Sequence, residues 1–529
     1  MTRDAVIIGA GPNSLVAGAL LSRSGWSVLL LDSGDRPGGG LRTEELILPG
    51  FRHDVYAGFL ILFAISQAYA ELGPELGARG LAMANTDTPL GVILPDGRAT
   101  VLTTDMQRNV AEAERLHRGD GAGWQDLVQS LGARAGQIFP LLSSELTSPA
   151  AQGMMRQLFV AQDGGPSPYV GEFLDTARNY LQRQFGSDEW RALLAPWVYH
   201  SGRGPEDANT AYSVQLCGLG VQMAGLPVGV GGAEAMATSL VKLIEDHGGR
   251  LECGVVVERI LVEGGRAVGV RTSAGQEHRA GRAVLACANP DQLYLKLLEG
   301  SGAVTPEFRT AARRYRYGHS VMVVHLALGE PPHWVDERLD ACVYTHVCDG
   351  IDGVSRNYNE TTRRLLPAQP VVGVGVPTVT DPSRAPAGKA VMVLQALDTP
   401  FDLKGDAAGR IDVGDGTWSE AVKNAYADRV VQTVAAHIPN LERSILGRCV
   451  QSPLDLRNAN MNWNHGDPYS GAHDLAQSFL MRPLPVQPSH RTPVEGLWQI
   501  GASTFPGLGL GGVSGYMVAK QLLACADST

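Results

Sequence analysis

The sequence predicts an α/β protein in which a doubly wound, parallel-sheet domain is interleaved with a second domain of mixed α+β type. An apolar, β-branched strand at residues 4–9 runs into a glycine-rich turn and a helix, and a similar strand–glycine loop–helix pattern returns at residues 494–524. Further buried strands lie between these ends, at residues 254–287. Because 529 residues exceed one ordinary core, we expect the intervening stretches to form the second domain.

The first fifty residues contain one βαβ unit. The strand at residues 4–9 ends in glycine, the helical pattern after it is stopped by Gly25, and a second buried strand at residues 26–32 ends in the acid Asp32. This order and spacing are typical of a Rossmann-type, dinucleotide-binding domain. A glycine motif alone would be weak evidence, and the flanking strands and acid make it specific.

Each residue of the first glycine loop, residues 9–14, has a role in this interpretation. Gly9 permits the tight turn, and Gly11 lets the backbone approach a pyrophosphate with no Cβ in the way. The N–H groups at the start of the helix stabilise the phosphate charge. Ser14 replaces the third glycine of the fingerprint, at a position where a small residue is enough for helix–strand packing. Asp32 is placed to accept hydrogen bonds from both ribose hydroxyls.

A second glycine-rich loop, residues 33–40, follows the acidic strand directly. A simple NAD dehydrogenase has no need of another close backbone approach there, whereas the longer FAD molecule does. The loop therefore predicts FAD. The alternative is a flexible surface loop.

The run from Val6 to Phe51, with three consecutive glycines at residues 38–40 and Arg42 after them, resembles the phytoene-desaturase-like branch of the FAD-dependent amine oxidase superfamily. Within that branch it is most similar to the pyridine-nucleotide-disulphide-oxidoreductase-domain protein 2 group. The resemblance implies an FAD-dependent oxidoreductase. It implies that the first loop binds the pyrophosphate of FAD, that Asp32 binds the adenosine ribose, and that the stretch starting at Arg36 lines the flavin end of the cofactor. Ser14 and Gly40 differ from the commonest pattern of the family.

The C-terminal pattern is a strand at residues 494–501, a glycine loop at 502–515 and a final helix at 516–524. A helix start there would aim N–H dipoles at the pyrimidine edge of a reduced flavin. The alternative is a glycine-rich tail that only packs. In the family this loop runs beside the isoalloxazine and phosphates. Phe505 stands where histidine is common, which predicts an apolar wall beside the flavin.

The motifs and the resemblance together give the expected cofactor-binding residues and domain boundaries. The FAD-binding residues are Gly9, Gly11, Pro12, Asn13, Ser14, Asp32, Ser33, Arg36, Gly38, Gly39, Gly40, Leu41, Arg42, Val257, Gly501, Ala502, Gly511, Gly512 and Val513. The resemblance gives Val257 a backbone contact with adenine. The predicted FAD-binding segments are residues 1–57, 226–290 and 489–529, and the substrate-domain segments are 58–225, largely helical, and 291–488.

The middle of the chain gives weaker signals for catalysis. Residues 197–200 form an aromatic cluster with a titratable group, so His200 and Tyr199 join Phe505 as candidates to line the active site. His200 could act as a base or be a packed histidine. The apolar stretch at residues 58–65 could be plain core, the wall of a substrate tunnel or a peripheral contact with a membrane. The sequence identifies no catalytic residue.

Composition narrows the other possibilities. The net charge of −10 and the lack of clustered Lys and Arg argue against a nucleic-acid partner. The seven cysteines form no CxxC pair, so no metal site or disulfide framework is predicted. No apolar run reaches the roughly 18 residues of a membrane span. With no secretory leader pattern before the first strand, we expect a cytoplasmic protein.

Three functions fit these observations. The first is a desaturase, oxidase or dehydrogenase that takes a hydride from an activated C–H bond of a mostly apolar or aromatic small molecule to flavin N5. The second is a non-redox isomerase that uses the flavin reversibly, and the third is an FAD-bearing binding or scaffold protein without turnover. The substrate, the electron acceptor, the flavin linkage and the oligomeric state do not follow from the sequence.

Overall fold

The computed structural model describes residues 2–526 of the chain. Met1 and residues 527–529, at the outer ends of the first and last predicted segments, lie outside the described residues.

Two large sheets dominate the fold. The first is built from three distant parts of the chain. Its strands, in order across the sheet, are Val257–Glu263, Arg266–Thr272, Glu277–Ala286, Thr2–Ile8, Val28–Leu31 and Arg250–Glu252, with Leu497–Gln499 paired beside Glu277–Ala286.

The central strands of this sheet are parallel. Thr2–Ile8 pairs in parallel with Glu277–Ala286 on one side and with Val28–Leu31 on the other, where Ile8 stands opposite Leu31. All four residues of Val28–Leu31 are buried, as expected for a strand covered on both faces. The carboxyl ends of both strands therefore meet at one edge, immediately before Gly9 and Asp32. In open α/β sheets this edge is where ligands bind.

Helices cover both faces of the first sheet. On one face Ala5, Ile7 and Leu30 pack against the first helix, Pro12–Arg23, and its neighbours, while Val6, Leu29 and Leu31 face a separate core on the other side. The α/β, Rossmann-type prediction is confirmed. The strands of this sheet come from the three predicted FAD segments, whose boundaries stay predictions.

The second sheet is mixed and belongs to the other domain. In this sheet Leu90–Ile93 runs parallel to Tyr344–Val347, and all the other neighbouring strands pair in antiparallel fashion. The strands, in order, are Ile445–Gln451, Ser320–Leu328, Ala390–Thr399, Val372–Gly375, Tyr344–Val347, Leu90–Ile93 and Ala99–Leu102. Small two-stranded pairs join Thr43–Glu44 with His53–Asp54, Met83–Ala84 with Val228–Gly229, and Leu365–Leu366 with Gly405–Asp406.

The helices alternate with these strands and fill the long insertion between residues 58 and 225. A 3₁₀ helix, Ala195–Ser201, lies among them. The α-helices are Pro12–Arg23, Ile61–Ala64, Gln67–Gly77, Met106–Leu116, Asp120–Leu142, Pro149–Phe159, Pro168–Leu174, Ala177–Gln184, Asp188–Leu194, Thr210–Ala224, Glu234–Asp246, Pro290–Gln292, Pro306–Arg313, Gly350–Thr362, Glu420–Ala435, Leu441–Ser444, Pro453–Ala459 and Val513–Ala526.

The helices Pro168–Leu174 and Ala177–Gln184 are separate, because Asp175 is extended and the Thr176 hydroxyl caps the second helix by accepting from the Asn179 N–H. One local expectation needs correction. The final helix starts at Val513 rather than Tyr516. Among the described residues, no helix combines the length and the apolarity needed to cross a bilayer.

Candidate active site

One large cavity opens at the carboxyl edge of the first sheet. Its volume is about 1000 Å³. Ile8, Leu31 and Val257 reach it from the first sheet, and His325 and Tyr344 reach it from the second. The cavity therefore lies between the two domains, where small-molecule sites commonly occur.

The first glycine loop forms one end of this cavity. Gly9 has a φ of 92°, a conformation that glycine adopts without strain. Gly11 has an ordinary φ of −73° and caps the helix Pro12–Arg23. A Cβ placed on Gly11 would meet no protein atom within 4 Å, so it would project into the cavity. The bare backbone and the unpaired N–H groups of the first helical turn together fit an anionic group.

Asp32 lines the cavity beside this loop. Its Oδ2 accepts a hydrogen bond from the Ala10 N–H at 2.5 Å, and its Oδ1 accepts from the Gly34 N–H at 2.7 Å. The carboxylate thus ties the first glycine loop to the start of the second. It holds the loop and faces the space where the sequence predicts a ribose.

The second glycine loop packs directly on the first. The Gly38 N–H donates to the Ala10 carbonyl oxygen at 2.8 Å. Gly39 has a φ of 57°, and a Cβ there would lie 3.2 Å from the Gly11 Cα. Gly40 faces the ring of Trp463, because a Cβ on it would lie 3.5 Å from that ring. Glycine is therefore required for the close approach of the two loops.

Arg36 and Arg42 line the cavity within a group of carboxylates. Arg36 Nη2 donates to Glu44 Oε1 at 2.8 Å, and Arg42 pairs with the same oxygen and with Asp35 at 3.2 Å. Arg36 also lies 3.7 Å from Glu234. These ion pairs hold both guanidinium groups at the cavity wall.

The C-terminal loop closes the same end of the cavity. Asn13 bridges to it: its Nδ2 donates to the Gly509 carbonyl at 2.8 Å, and its Oδ1 accepts from the Gly515 N–H at 3.2 Å. Phe505 is 7% exposed, lines the cavity and packs beside Phe479, with 6.4 Å between ring centroids.

The structure brings most of the predicted site residues together. Those on the cavity wall are Gly9, Gly11, Pro12, Asn13, Asp32, Ser33, Arg36, Gly39, Gly40, Arg42, Val257, Ala502, Gly511, Gly512 and Val513, with Phe505 and His200. Ser14, Gly38, Leu41 and Gly501 lie behind this wall. Gly501, for example, donates its N–H to the Ser514 hydroxyl at 3.1 Å. Their roles as direct cofactor contacts stay predictions.

Tyr199 does not line the site as predicted. Its side chain is fully buried, and its hydroxyl donates to the Val354 carbonyl on a neighbouring helix. The residue shares a short 3₁₀ helix with His200, so adjacent side chains point in different directions, and sequence proximity did not distinguish them.

His200 does reach the cavity. Its ring lies 4.6 Å from that of Trp197, and its Nε2 is buried with no hydrogen-bond partner among the described residues. Burial lowers the pKa of His200 to about 4, so the imidazole is neutral at pH 7.

The apolar stretch at residues 58–65 forms part of the cavity wall. Ile61, Leu62 and Ile65 line it, and Ile65 is 43% exposed. Of the three interpretations of this stretch, its position favours the wall of a substrate tunnel.

Several polar side chains that no sequence motif indicated converge on the cavity. Arg203, His473, Tyr469 and Arg482 line it from separate segments. Arg203 follows the candidate His200 closely, which was the one available signal. The other three carry no motif, and only the tertiary structure brings them to the site.

Comparison with known proteins identifies the family. A model of the flavin-containing amine oxidoreductases matches residues 15–523. The chain belongs to this family. It is an FAD-dependent oxidoreductase, and the bare backbone at Gly11, the helix start and Asp32 fit the cofactor. The predicted resemblance is confirmed.

The relatives span nearly the whole chain. Pyridine nucleotide-disulfide oxidoreductase domain-containing protein 2 of Rattus norvegicus is 27% identical, over 97% of this chain and 92% of that protein. A neurosporene-forming phytoene desaturase of Cereibacter sphaeroides is 25% identical, over 98% and 94%. The solved cyclohexylamine oxidase of Brevibacterium oxydans shares the fold, with a TM-score of 0.60, 17% identity and full coverage of both chains.

Proposed function

We propose that this enzyme removes a hydride from an activated C–H bond of a mostly apolar small molecule. When bound, FAD supplies the hydride acceptor, its N5 atom. The observation that carries the proposal is the continuity of the cavity, which runs from the glycine loops to walls of apolar side chains such as Leu62, Phe139 and Phe505. A substrate in that space would be desolvated and held beside the cofactor.

The cofactor-binding residues follow from the cavity wall. Gly9, Gly11 and the start of the first helix would hold the pyrophosphate, and Asp32 would hold the adenosine ribose. The backbone at Val257 would meet the adenine. The C-terminal loop would lie along the flavin, with Phe505 as its apolar wall.

The residues near the substrate suit removal of a hydride without strong acid–base assistance. Phe505 and Phe479 exclude water from their side of the cavity. His200 is neutral at pH 7 and accepts no hydrogen bond from the described residues, so it adds no charge to the site. Apolar walls of this kind keep water away from the reacting carbon and the reduced cofactor, which prevents side reactions.

The name of one relative points the same way. It is a neurosporene-forming phytoene desaturase, which by this name introduces double bonds into phytoene. Desaturation takes a hydride from one carbon and a proton from its neighbour. When conjugation stabilises the cation that hydride removal leaves, the neighbouring proton is acidic enough to pass to water or a weak base, so a strong catalytic base is not needed. We extend that chemical class, and not that substrate, to this chain.

Anaerobic mixing tests the proposal. The FAD-loaded enzyme would be mixed with a panel of apolar compounds that carry allylic or benzylic C–H bonds, while the flavin absorbance is followed. Lasting bleaching supports hydride removal. Product without lasting bleaching would instead indicate a non-redox isomerase, and no product and no bleaching across the panel would indicate a binding protein. Gly11→Val, which should lack flavin, serves as the blank.

A further inference from the structure

Arg203 is a buried cation in the cavity wall without a carboxylate partner. Its side chain is 6% exposed, and among the described residues no Asp or Glu oxygen lies within 4.0 Å of it. The residue follows Gly202, whose φ of 65° ends the 3₁₀ helix Ala195–Ser201 and turns the chain towards the cavity. An unpaired buried charge is costly, so proteins seldom keep one without a use.

The hydrogen bonds of Arg203 all go to neutral groups. Nε donates to the Ser201 hydroxyl at 3.2 Å, and Nη1 donates to the Ala208 carbonyl at 3.2 Å and to Asn209 Oδ1 at 3.3 Å. Nη2 donates to the Ser213 hydroxyl. Since a guanidinium has five N–H donors, one N–H of Nη2 and the whole positive charge are left for another partner.

The nearest acids are engaged elsewhere. Asp207 accepts from the Gly204 N–H at 2.8 Å, and Asp474 pairs with Arg316 at 2.7 Å. Burial lowers the pKa of Arg203 to about 10, and these two carboxylates only partly oppose that effect. The guanidinium remains charged at pH 7.

Two other buried arginines differ from Arg203. Arg384 is neutralised by two carboxylates, Asp54 at 3.0 Å and Asp381 at 2.8 Å, and it does not line the cavity. Arg482 lines the cavity and has only neutral partners, but all five of its N–H groups donate to carbonyl oxygens of residues 469, 472, 477 and 502. Of the three, Arg203 is the one that combines a place on the cavity wall with an unpaired N–H group.

His473 lies in the same region of the cavity. Its Nε2 is buried without a partner among the described residues, and its side chain lines the cavity. Burial and then the positive charges of Arg482 and Arg203 hold the pKa of His473 well below its usual range. Arg203 and Arg482 therefore make this part of the cavity electropositive, and His473 stays neutral there.

We propose that Arg203 binds a carboxylate at one end of an otherwise apolar substrate. The proposal rests on the function proposed above and narrows its substrate class to carboxylic acids with an apolar body. A carboxylate would use the open N–H of Nη2 and neutralise the buried charge, as guanidinium groups commonly do. The same charge repels protonated amines, so amine substrates are disfavoured at this site.

Binding of matched eight-carbon probes to the FAD-loaded protein tests the proposal. Octanoate, 1-octanol and octylamine would be titrated by calorimetry and by perturbation of the flavin spectrum. We expect octanoate to bind at least about tenfold more tightly than either of the others, since a hydrogen bond to a charged group is worth that much or more. Equal affinity for octanoate and octanol would overturn the proposal.

Variants of Arg203 test whether this residue causes the preference for octanoate. Arg203→Gln should lose the preference for octanoate, and Arg203→Lys should keep part of it. Arg183→Gln, at an arginine whose side chain is 60% exposed, is the matched control and should behave as wild type. Retention of the full preference in Arg203→Gln would contradict the proposal. If that variant does not fold, the wild-type comparison of octanoate with octanol still decides.

Failure of this proposal and failure of the proposed function give different results. Binding without turnover would still show the octanoate preference. Conversely, hydride removal from uncharged compounds with no preference for octanoate would leave the function standing and remove Arg203 from substrate binding.

Discussion

Gly515 packs so closely on Asn13 that a Cβ at position 515 would lie 1.8 Å from the Asn13 carbonyl oxygen. The Gly515 N–H also donates to Asn13 Oδ1 at 3.2 Å. The contact joins the helix Val513–Ala526 to the helix Pro12–Arg23. It fixes the C-terminal loop over the first glycine loop. The proposed flavin site depends on this arrangement of the two loops.

Gly515→Ala should therefore separate these helices. We expect a loss of about 1–3 kcal/mol in the free energy of unfolding, as for other overpacked positions, together with weaker FAD retention. Denaturant unfolding and the flavin content after dialysis would measure both. Gly132→Ala, at an exposed helical glycine whose Cβ would meet nothing within 4 Å, should be neutral or slightly stabilising. Wild-type flavin content in Gly515→Ala would show that the contact is dispensable.

Gly11→Val should abolish FAD binding while the protein still folds. A Cβ at position 11 would meet no protein atom within 4 Å, and the backbone there has an ordinary φ, so the added bulk enters the space proposed for the pyrophosphate. The purified variant should be colourless with a wild-type circular dichroism spectrum. Gly153→Val controls for valine in place of a helical glycine outside the cavity. A yellow Gly11→Val protein would make the loop purely structural.

Asp32→Ala should weaken FAD binding about ten- to a hundredfold. The variant loses charge-assisted hydrogen bonds of roughly 1.5–3 kcal/mol, and about 1.4 kcal/mol corresponds to a factor of ten. It also frees the N–H groups of Ala10 and Gly34. Quenching of flavin fluorescence gives the dissociation constant. The neighbouring acid Asp35, 67% exposed, provides the control Asp35→Ala, which should lose far less affinity. An unchanged constant for Asp32→Ala would place the ribose contact elsewhere.

His325 should make the fold sensitive to mild acid. It is fully buried, and burial lowers its pKa from 6.5 to about 4. Between these values the unfolded chain binds a proton that the folded protein does not, so stability falls as the pH drops. Replacement by Gln should shrink the difference in unfolding free energy between pH 7 and pH 5 by roughly 2 kcal/mol.

Urea unfolding at the two pH values measures this effect. His333→Gln, at a histidine whose side chain is 62% exposed, controls for the loss of a histidine as such. The same difference between the two pH values in His325→Gln and wild type would refute a neutral His325.

Phe505→Ala should raise KM or increase wasteful oxygen consumption, and FAD should stay bound. The reason is that the ring closes one side of the cavity against water. Phe505→His should add no new pH dependence of the rate if no proton moves there. Phe159→Ala removes a ring from the same apolar cluster without touching the cavity wall, so it separates packing from catalysis. Wild-type kinetics in Phe505→Ala would end this assignment.

The sequence predicted those parts of the site that are formed by residues close together in the chain. Gly9, Gly11 and Asp32 occupy fixed places in one βαβ unit, so their spacing alone predicted that they would meet at a sheet edge. Arg203 and His473 were missed because their chemistry arises only when distant segments meet around the cavity. Tyr199 shows the converse error, since adjacency to His200 does not decide which side chain faces a site.

The parallel strand Glu277–Ala286 has a consequence for how the chain is made. Its two parallel partners are Thr2–Ile8, which lies far before it in the chain, and Leu497–Gln499, which lies far after it. During synthesis Thr2–Ile8 therefore stays unpaired on one side until the much later strand Glu277–Ala286 has been made. Such long-range pairing folds slowly and exposes apolar edges to aggregation. We therefore expect the risk of aggregation to fall only when the strand Leu497–Gln499 has joined this sheet.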